Sequence, residues 1–99
     1  MVDYDKVKTY VNFAIRSRKI VFGTDNILKQ PKSKIIIVSS LLSNSAIEKL
    51  ESFAITHKIN LFKVDGEKFL SIVNKESIKA AAILDDNLAD AIKINLTII

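Results

Sequence analysis

Cysteine is absent from these 99 residues, which excludes a disulfide framework and any thiolate zinc site. Histidine occurs once, at His57, so a nitrogen-rich metal centre is excluded as well, and no cofactor is expected. Glycine occurs twice and proline once; such a chain is built of regular elements with short connections. No run approaches the ~20 consecutive apolar residues that a bilayer-spanning helix needs, and no membrane partner is expected. The opening residues, Met1-Val2-Asp3-Tyr4-Asp5, carry acids where a secretory leader needs a basic segment followed by an apolar run, so a cytoplasmic location is expected. The phosphate-cradling patterns GxGxxG and GxxxxGK[ST] are also missing, which removes the usual nucleotide enzymes.

Hydrophobic residues make up 48% of the chain and charged residues 26%. That balance suits one folded domain over residues 1–99 and argues against disorder. The net charge is +4, with a sequence pI near 9.4, and it is unevenly spread. Residues 1–34 hold eight basic side chains against three acidic ones, and residues 35–99 hold seven against eight. Positive charge gathered in the first third favours a polyanionic partner.

The hydrophobic periodicity alternates between helix and strand. Tyr4, Val7, Val11 and Ala14 recur at helical spacing over about residues 3–17, with Asp3 as N-cap. Ile20-Val21-Phe22 is a short β-rich run stopped by Gly23, and Thr24-Asp25 offers a cap for a short helix to about Lys29 or Gln30, before Pro31. Ile35 to Val38 is a β-branched run of the kind buried on both faces of a sheet. Ser45 and Glu48 have capping-box spacing, and the helix they open has an apolar stripe of Ile47, Leu50, Ala54 and the ring of His57. Leu61 to Val64 reads as a strand, Asp65-Gly66 as a turn, and Glu67 to Val73 as a helix facing Phe69, Leu70 and Val73 inward. Ala80 to Leu84 reads as a buried strand, and Asp85 to Lys93 as a last helix carrying Leu88, Ala91 and Ile92. This order predicts an α/β fold: a three-layer α/β/α sandwich around a four-stranded mixed sheet. The apolar tail from Ile94 to Ile99 either covers part of the core or adds an extended segment.

Most of the chemistry sits between Arg16 and Lys34. Arg16, Arg18 and Lys19 precede the first strand, and Gly23 allows backbone to approach a partner closely. Thr24, Asp25 and Asn26 open a helix whose free N–H groups favour an electron-rich ligand, with Lys29 one turn on and Lys32 and Lys34 extending the rim. Amides such as that of Asn26 pair with base edges, and lysines take phosphates or guanine acceptors. An ordinary strand-to-helix turn with solvated charges accounts equally well for the spacing alone. The carboxylate pair Asp85-Asp86 could serve acid/base or metal chemistry, but at the head of a helix it more simply offsets the dipole.

Several pieces in order resemble the kink-turn RNA-binding ribosomal protein family typified by archaeal ribosomal protein L-seven-Ae, and within it the small bacterial YlxQ-type branch. They are Asn12 to Arg16, Lys19-Ile-Val-Phe-Gly23, Asn26-Ile-Leu-Lys29, Lys34 to Val38, Ser43-Asn44, Ile59 to Val64, Ala82-Ile-Leu-Asp85 and Leu88 to Ile92. The resemblance runs from about Val7 to Ile92. It implies a non-enzymatic protein, associated with the ribosome or translation, that clamps a sharply bent RNA containing tandem sheared G·A pairs. It implies that the Gly23 to Lys29 turn enters the RNA major groove at those pairs. It also implies that the loop from Val73 through Asn74 and Lys75 to Ile78 packs on a flipped-out nucleotide, with Val73 and Ile78 as the apolar contacts. Asp25 stands where the family usually has an uncharged amide, and Asn26 where it has an acid. Arg18, Lys19, Gly23, Thr24, Asp25, Asn26, Lys29, Lys32, Val73, Asn74, Lys75 and Ile78 are therefore the expected RNA-binding residues.

The expected partner is structured RNA, kink-turn or related, with no DNA, and the chain is expected to act as a monomer. The alternative is a protein-interaction adaptor on the same fold, using an apolar patch built from Leu96, Ile98 and Ile99. A small enzyme around Asp85 and Asp86 would need a perturbed carboxylate in a real pocket.

Overall fold

In the computed structural model, which describes residues 3–96, nine elements alternate along the chain. They are α1 (Tyr4–Arg16), β1 (Ile20–Phe22), α2 (Thr24–Ile27), β2 (Ile35–Ser39), α3 (Asn44–His57), β3 (Asn60–Val64), α4 (Gly66–Val73), β4 (Ala80–Ile83) and α5 (Asp86–Leu96). The strands form one four-stranded mixed sheet in the order β1-β4-β2-β3. β2 and β3 are parallel, and β4 runs antiparallel to both β1 and β2.

β2 shows why the sheet is covered on both faces. Successive side chains of a strand point to opposite sides; Ile35 and Ile37 pack in one core with Val7, Val11, Phe69, Ile72 and Ile92, while Ile36 and Val38 pack in another with Ile27, Leu50 and Ala54. Helices α1, α4 and α5 therefore cover one face, and α2 and α3 the other. β4 divides in the same way, with Ala81 and Ile83 in the first core and Ala80 and Ala82 in the second. Its small side chains leave room for helices on either side.

Helix starts follow local chemistry, in places different from the pattern-based expectation. The Asp3 carboxylate accepts from the Lys6 N–H at 3.1 Å, as expected of an N-cap. The α3 cap lies two residues before the expected Ser45: it is Ser43, extended in backbone and accepting from the Ala46 N–H at 3.3 Å. Ser45 lies inside the first turn, so its spacing with Glu48 is not used as a capping box. α2 is shorter than expected, with Gly23 rather than Thr24 or Asp25 as its cap. It gives way after Ile27 to tight turns, Lys29 N–H to Asn26 C=O and Gln30 N–H to Ile27 C=O, ahead of Pro31.

Burial corrects several faces. In α4 the inward set is Phe69, Ile72 and Val73, whereas Leu70 is exposed, because the sheet selects the i, i+3, i+4 stripe. His57 lies exposed, its ring tilted against Phe53 at 4.5 Å between centroids, and is no part of the apolar stripe. α5 buries Ala89 as well as the expected Ile92, with Leu88 half-buried against the first core, and it extends through Leu96, past the expected end at Lys93. Leu96 packs against the first core, and Ile94 is exposed. Ile98 and Ile99, and with them the proposed tail patch, lie outside the described residues.

Candidate RNA interface

The register separates the two ends of the sheet. Phe22 pairs with Ala81 and Val38 with Ala80, so the C-terminal ends of β1 and β2 meet the N-terminal end of β4. Ile20 and Ile35 both pair with Ile83 at the opposite end. The Gly23–Asn26 turn and the loop leading into β4 from Asn74 therefore share one end, which we call the turn end.

Gly23 sits at φ +90 and ψ 146, a region that side chains other than glycine's rarely enter. Its N–H donates to Ala80 C=O at 3.0 Å, extending the β1–β4 ladder by one residue before the chain turns away. A Cβ at Gly23 would meet only the Asn26 amide, at 4.0 Å, so it would project into open space. No side chain caps α2, and its first N–H groups are left for solvent or a partner. The Asn26 Nδ2 donates to Phe22 C=O at 3.0 Å. That bond fixes the amide, and its Oδ1 makes no hydrogen bond among the described residues, which leaves an oriented acceptor beside Gly23. Asp25 and Lys29 are exposed, and Thr24 is half-buried. Lys29 follows the end of α2 and does not project from the helix itself.

The second segment, Asn74 to Lys79, is adjacent. Asn74 closes α4 in the left-handed conformation, φ 58, which asparagine tolerates better than most residues. Lys75 places its Nζ 5.7 Å from the centre of the Phe22 ring, a cation–π contact worth ~0.5–1 kcal/mol at an exposed site. It ties this loop to the strand that ends just before Gly23. Lys79 donates to Glu76 C=O at 2.9 Å, closing the loop on itself. Val73 is 3% exposed and belongs to the first core. It is unavailable to a nucleotide, because the α4 stripe that packs on the sheet claims it. Ile78 is half-buried against the same core and is the apolar residue of the loop that retains accessible surface.

Arg18 and Lys19 are not at this end. They precede the three-residue β1; Lys19 is four residues from Gly23, roughly 13 Å at ~3.3 Å per residue. Arg18 itself turns the chain in the left-handed conformation, φ 58. Lys32 likewise lies near the start of β2, and Lys34 pairs with Asp86 at 3.5 Å. The continuous basic segment of the sequence is thus divided between opposite ends of the sheet. Sequence spacing could not show the Lys75–Phe22 contact, which joins residues far apart in the chain. Nor could it show Leu41, 68% exposed, whose side chain lies over Gly66, where an added Cβ would come within 2.5 Å of its Cδ1.

The carboxylate pair is structural in its bonding. Asp85 accepts from the Leu88 N–H at 2.9 Å, capping α5, and Asp86 holds the Lys34 ammonium. Among the described residues no group of three or more His, Asp or Glu side chains could hold a metal ion, and no helix is long and apolar enough to cross a membrane. A shallow groove lined by Glu51, Ala54, Ile55, Ile59, Asn60 and Leu61 lies between α3 and β3, away from the turn.

The model of the ribosomal protein L7Ae/L30e/S12e/Gadd45 family matches residues 5–93. No curated protein matches the chain significantly. Among solved structures, a protein with unknown function from Bacillus halodurans C superimposes with a TM-score of 0.79, covering 88% of this chain and 92% of its own at 16% identity. At that identity the likeness speaks to the fold.

Proposed function

This chain belongs to the ribosomal protein L7Ae/L30e/S12e/Gadd45 family, and we propose that it is an RNA-binding protein that recognises and stabilises a bent, kink-turn-like RNA through the turn end of its sheet. The observation that carries the proposal is adjacency. The Gly23–Asn26 turn and the Asn74–Lys79 loop, 53 residues apart between Phe22 and Lys75, meet through the Lys75–Phe22 contact. In this reading Gly23 brings backbone against the paired bases, and the fixed Asn26 Oδ1 accepts from a base-edge N–H. Lys29 and Lys75 neutralise phosphates, and Ile78 meets an unstacked base. The work is binding and positioning, with no covalent step and no cofactor. A cytoplasmic location and association with translation go with this reading.

The test is an electrophoretic shift titration with an RNA containing tandem G·A pairs beside a bulge, against the same RNA with those pairs replaced by Watson–Crick pairs. The proposal expects clear preference for the first RNA and loss of that preference in Asn26→Ala. Equal affinity for both RNAs at low salt would sink it, and would favour the adaptor alternative on this fold.

A further inference from the structure

The sheet register gathers positive charge at the end opposite the turn. The Lys19 C=O accepts from the Leu84 N–H at 2.8 Å, and the Lys34 N–H donates to Ile83 C=O at 2.8 Å, so Lys19 and Lys34 flank the end of β4 on either side. Arg16 and Arg18 close the α1–β1 connection beside Lys19, and Lys32 stands two residues before Lys34. On the far edge, Ile35 pairs with Asn60, which places the α3 terminus, Lys58 with φ 57, at the same end. Arg16, Arg18, Lys19, Lys32, Lys34 and Lys58 are all exposed.

Facing these six cations at the strand ends are two carboxylates, Asp85 and Asp86, one committed to capping α5 and the other to Lys34. Glu51 and Asp90 lie at least a helical turn back along α3 and α5, and His57 adjoins Lys58. Six against two leaves a surplus of four, equal to the net charge of the whole chain, +4. The remainder of the protein, the turn end included, is therefore neutral in sum. The four strands span about 14 Å at ~4.8 Å spacing, wide enough to lie across more than one phosphate of a duplex.

We infer that this basic end is a second RNA-binding surface, which grips the sugar-phosphate backbone of a helical segment without reading its sequence while the turn end holds the bent element. The partner class, RNA, rests on the function proposed above; the location and its charge do not. Two contacts on opposite ends of a sheet hold two segments of one folded RNA in fixed relation.

The test uses the full chain and two probes, a plain RNA duplex without G·A pairs and the G·A RNA, titrated by fluorescence anisotropy between about 50 and 200 mM salt. Each phosphate contact contributes roughly 3.5-fold over that range. The variant Arg16→Gln/Arg18→Asn/Lys19→Gln keeps a residue tolerant of the left-handed backbone at Arg18. It is expected to bind the plain duplex more weakly at low salt, and its affinity is expected to fall about 40-fold less than the parent's between about 50 and 200 mM. A second variant from the other strands, Lys32→Gln/Lys58→Asn, is expected to bind more weakly at low salt, with a fall over the same range about tenfold smaller than the parent's. Both should preserve the ratio of G·A RNA to plain duplex affinity. Should both variants, shown to be folded by circular dichroism, bind the plain duplex within twofold of the parent, the second surface does not exist. A parent ratio of one instead refutes the turn-end reading and leaves this comparison of variants intact.

Discussion

The two ends of the sheet solve different problems. At the turn end the chain is shaped rather than charged: a glycine at φ +90, an amide locked to the Phe22 carbonyl and a lysine resting on an aromatic ring fix where a few polar groups point. Its acids, Asp25 and Glu76, offset much of its lysine charge. At the opposite end the side chains are long, exposed and cationic, with little to orient them. Base contacts specify and phosphate contacts position. The difference teaches that net charge is a poor guide to the specific site in this fold, because the surplus sits about one strand length away from it.

The most damaging single change should be Gly23→Val. Open space around the missing Cβ means that the cost is conformational, about 1–3 kcal/mol of stability for a β-branched residue in that backbone region. The added side chain would also stand between backbone and RNA. Denaturant unfolding should show the loss, and the G·A preference should vanish while plain-duplex binding persists in the folded protein. Loss of both binding modes together in the folded variant would erase the distinction between the ends.

Next in size, Lys29→Ala should weaken G·A RNA binding by several-fold and reduce the salt slope by about one. Asp25→Asn should strengthen the same RNA by a few-fold, since it removes an exposed carboxylate from the expected contact. An unchanged affinity would place Asp25 outside the interface. A smaller effect belongs to Asp86→Asn at the basic end. It releases Lys34 from an exposed ion pair, and such pairs are worth at most ~1 kcal/mol. Thermal stability should barely move, while plain-duplex affinity should rise modestly and its salt slope steepen by about one. His57→Ala, for its part, should leave the G·A preference untouched.

Much of the fold was legible because it rests on local patterns. The β-branched run of β2, the alanines of β4 and the three- and four-residue spacing in α1 each specify burial, and the strand–helix alternation specifies layers. Where the pattern offered two solutions, tertiary packing chose. In α4 Leu70 and Ile72 are both apolar, and only the orientation of the helix on the sheet buries Ile72. In the serine-rich connection before α3, Ser43 and Ser45 are chemically equivalent caps, and the path out of β2 selects Ser43.

The candidate site divides in the same way. The sequence by itself determined that the chain lacks metal-thiolate and disulfide chemistry, that its positive charge leads, and that Gly23 followed by Thr24-Asp25-Asn26 makes a turn with exposed polar groups. Those are properties of residue types and near neighbours. Only the tertiary structure decided that Val73 is core and Ile78 retains surface, that Lys75 reaches Phe22, and that Arg18 and Lys19 belong with Lys34 and Lys58 rather than with Gly23. Each of those depends on strand register. A strand of a few residues carries basic groups that adjoin a turn in sequence to the far end of the sheet, and it pairs that end with segments that no local spacing could connect.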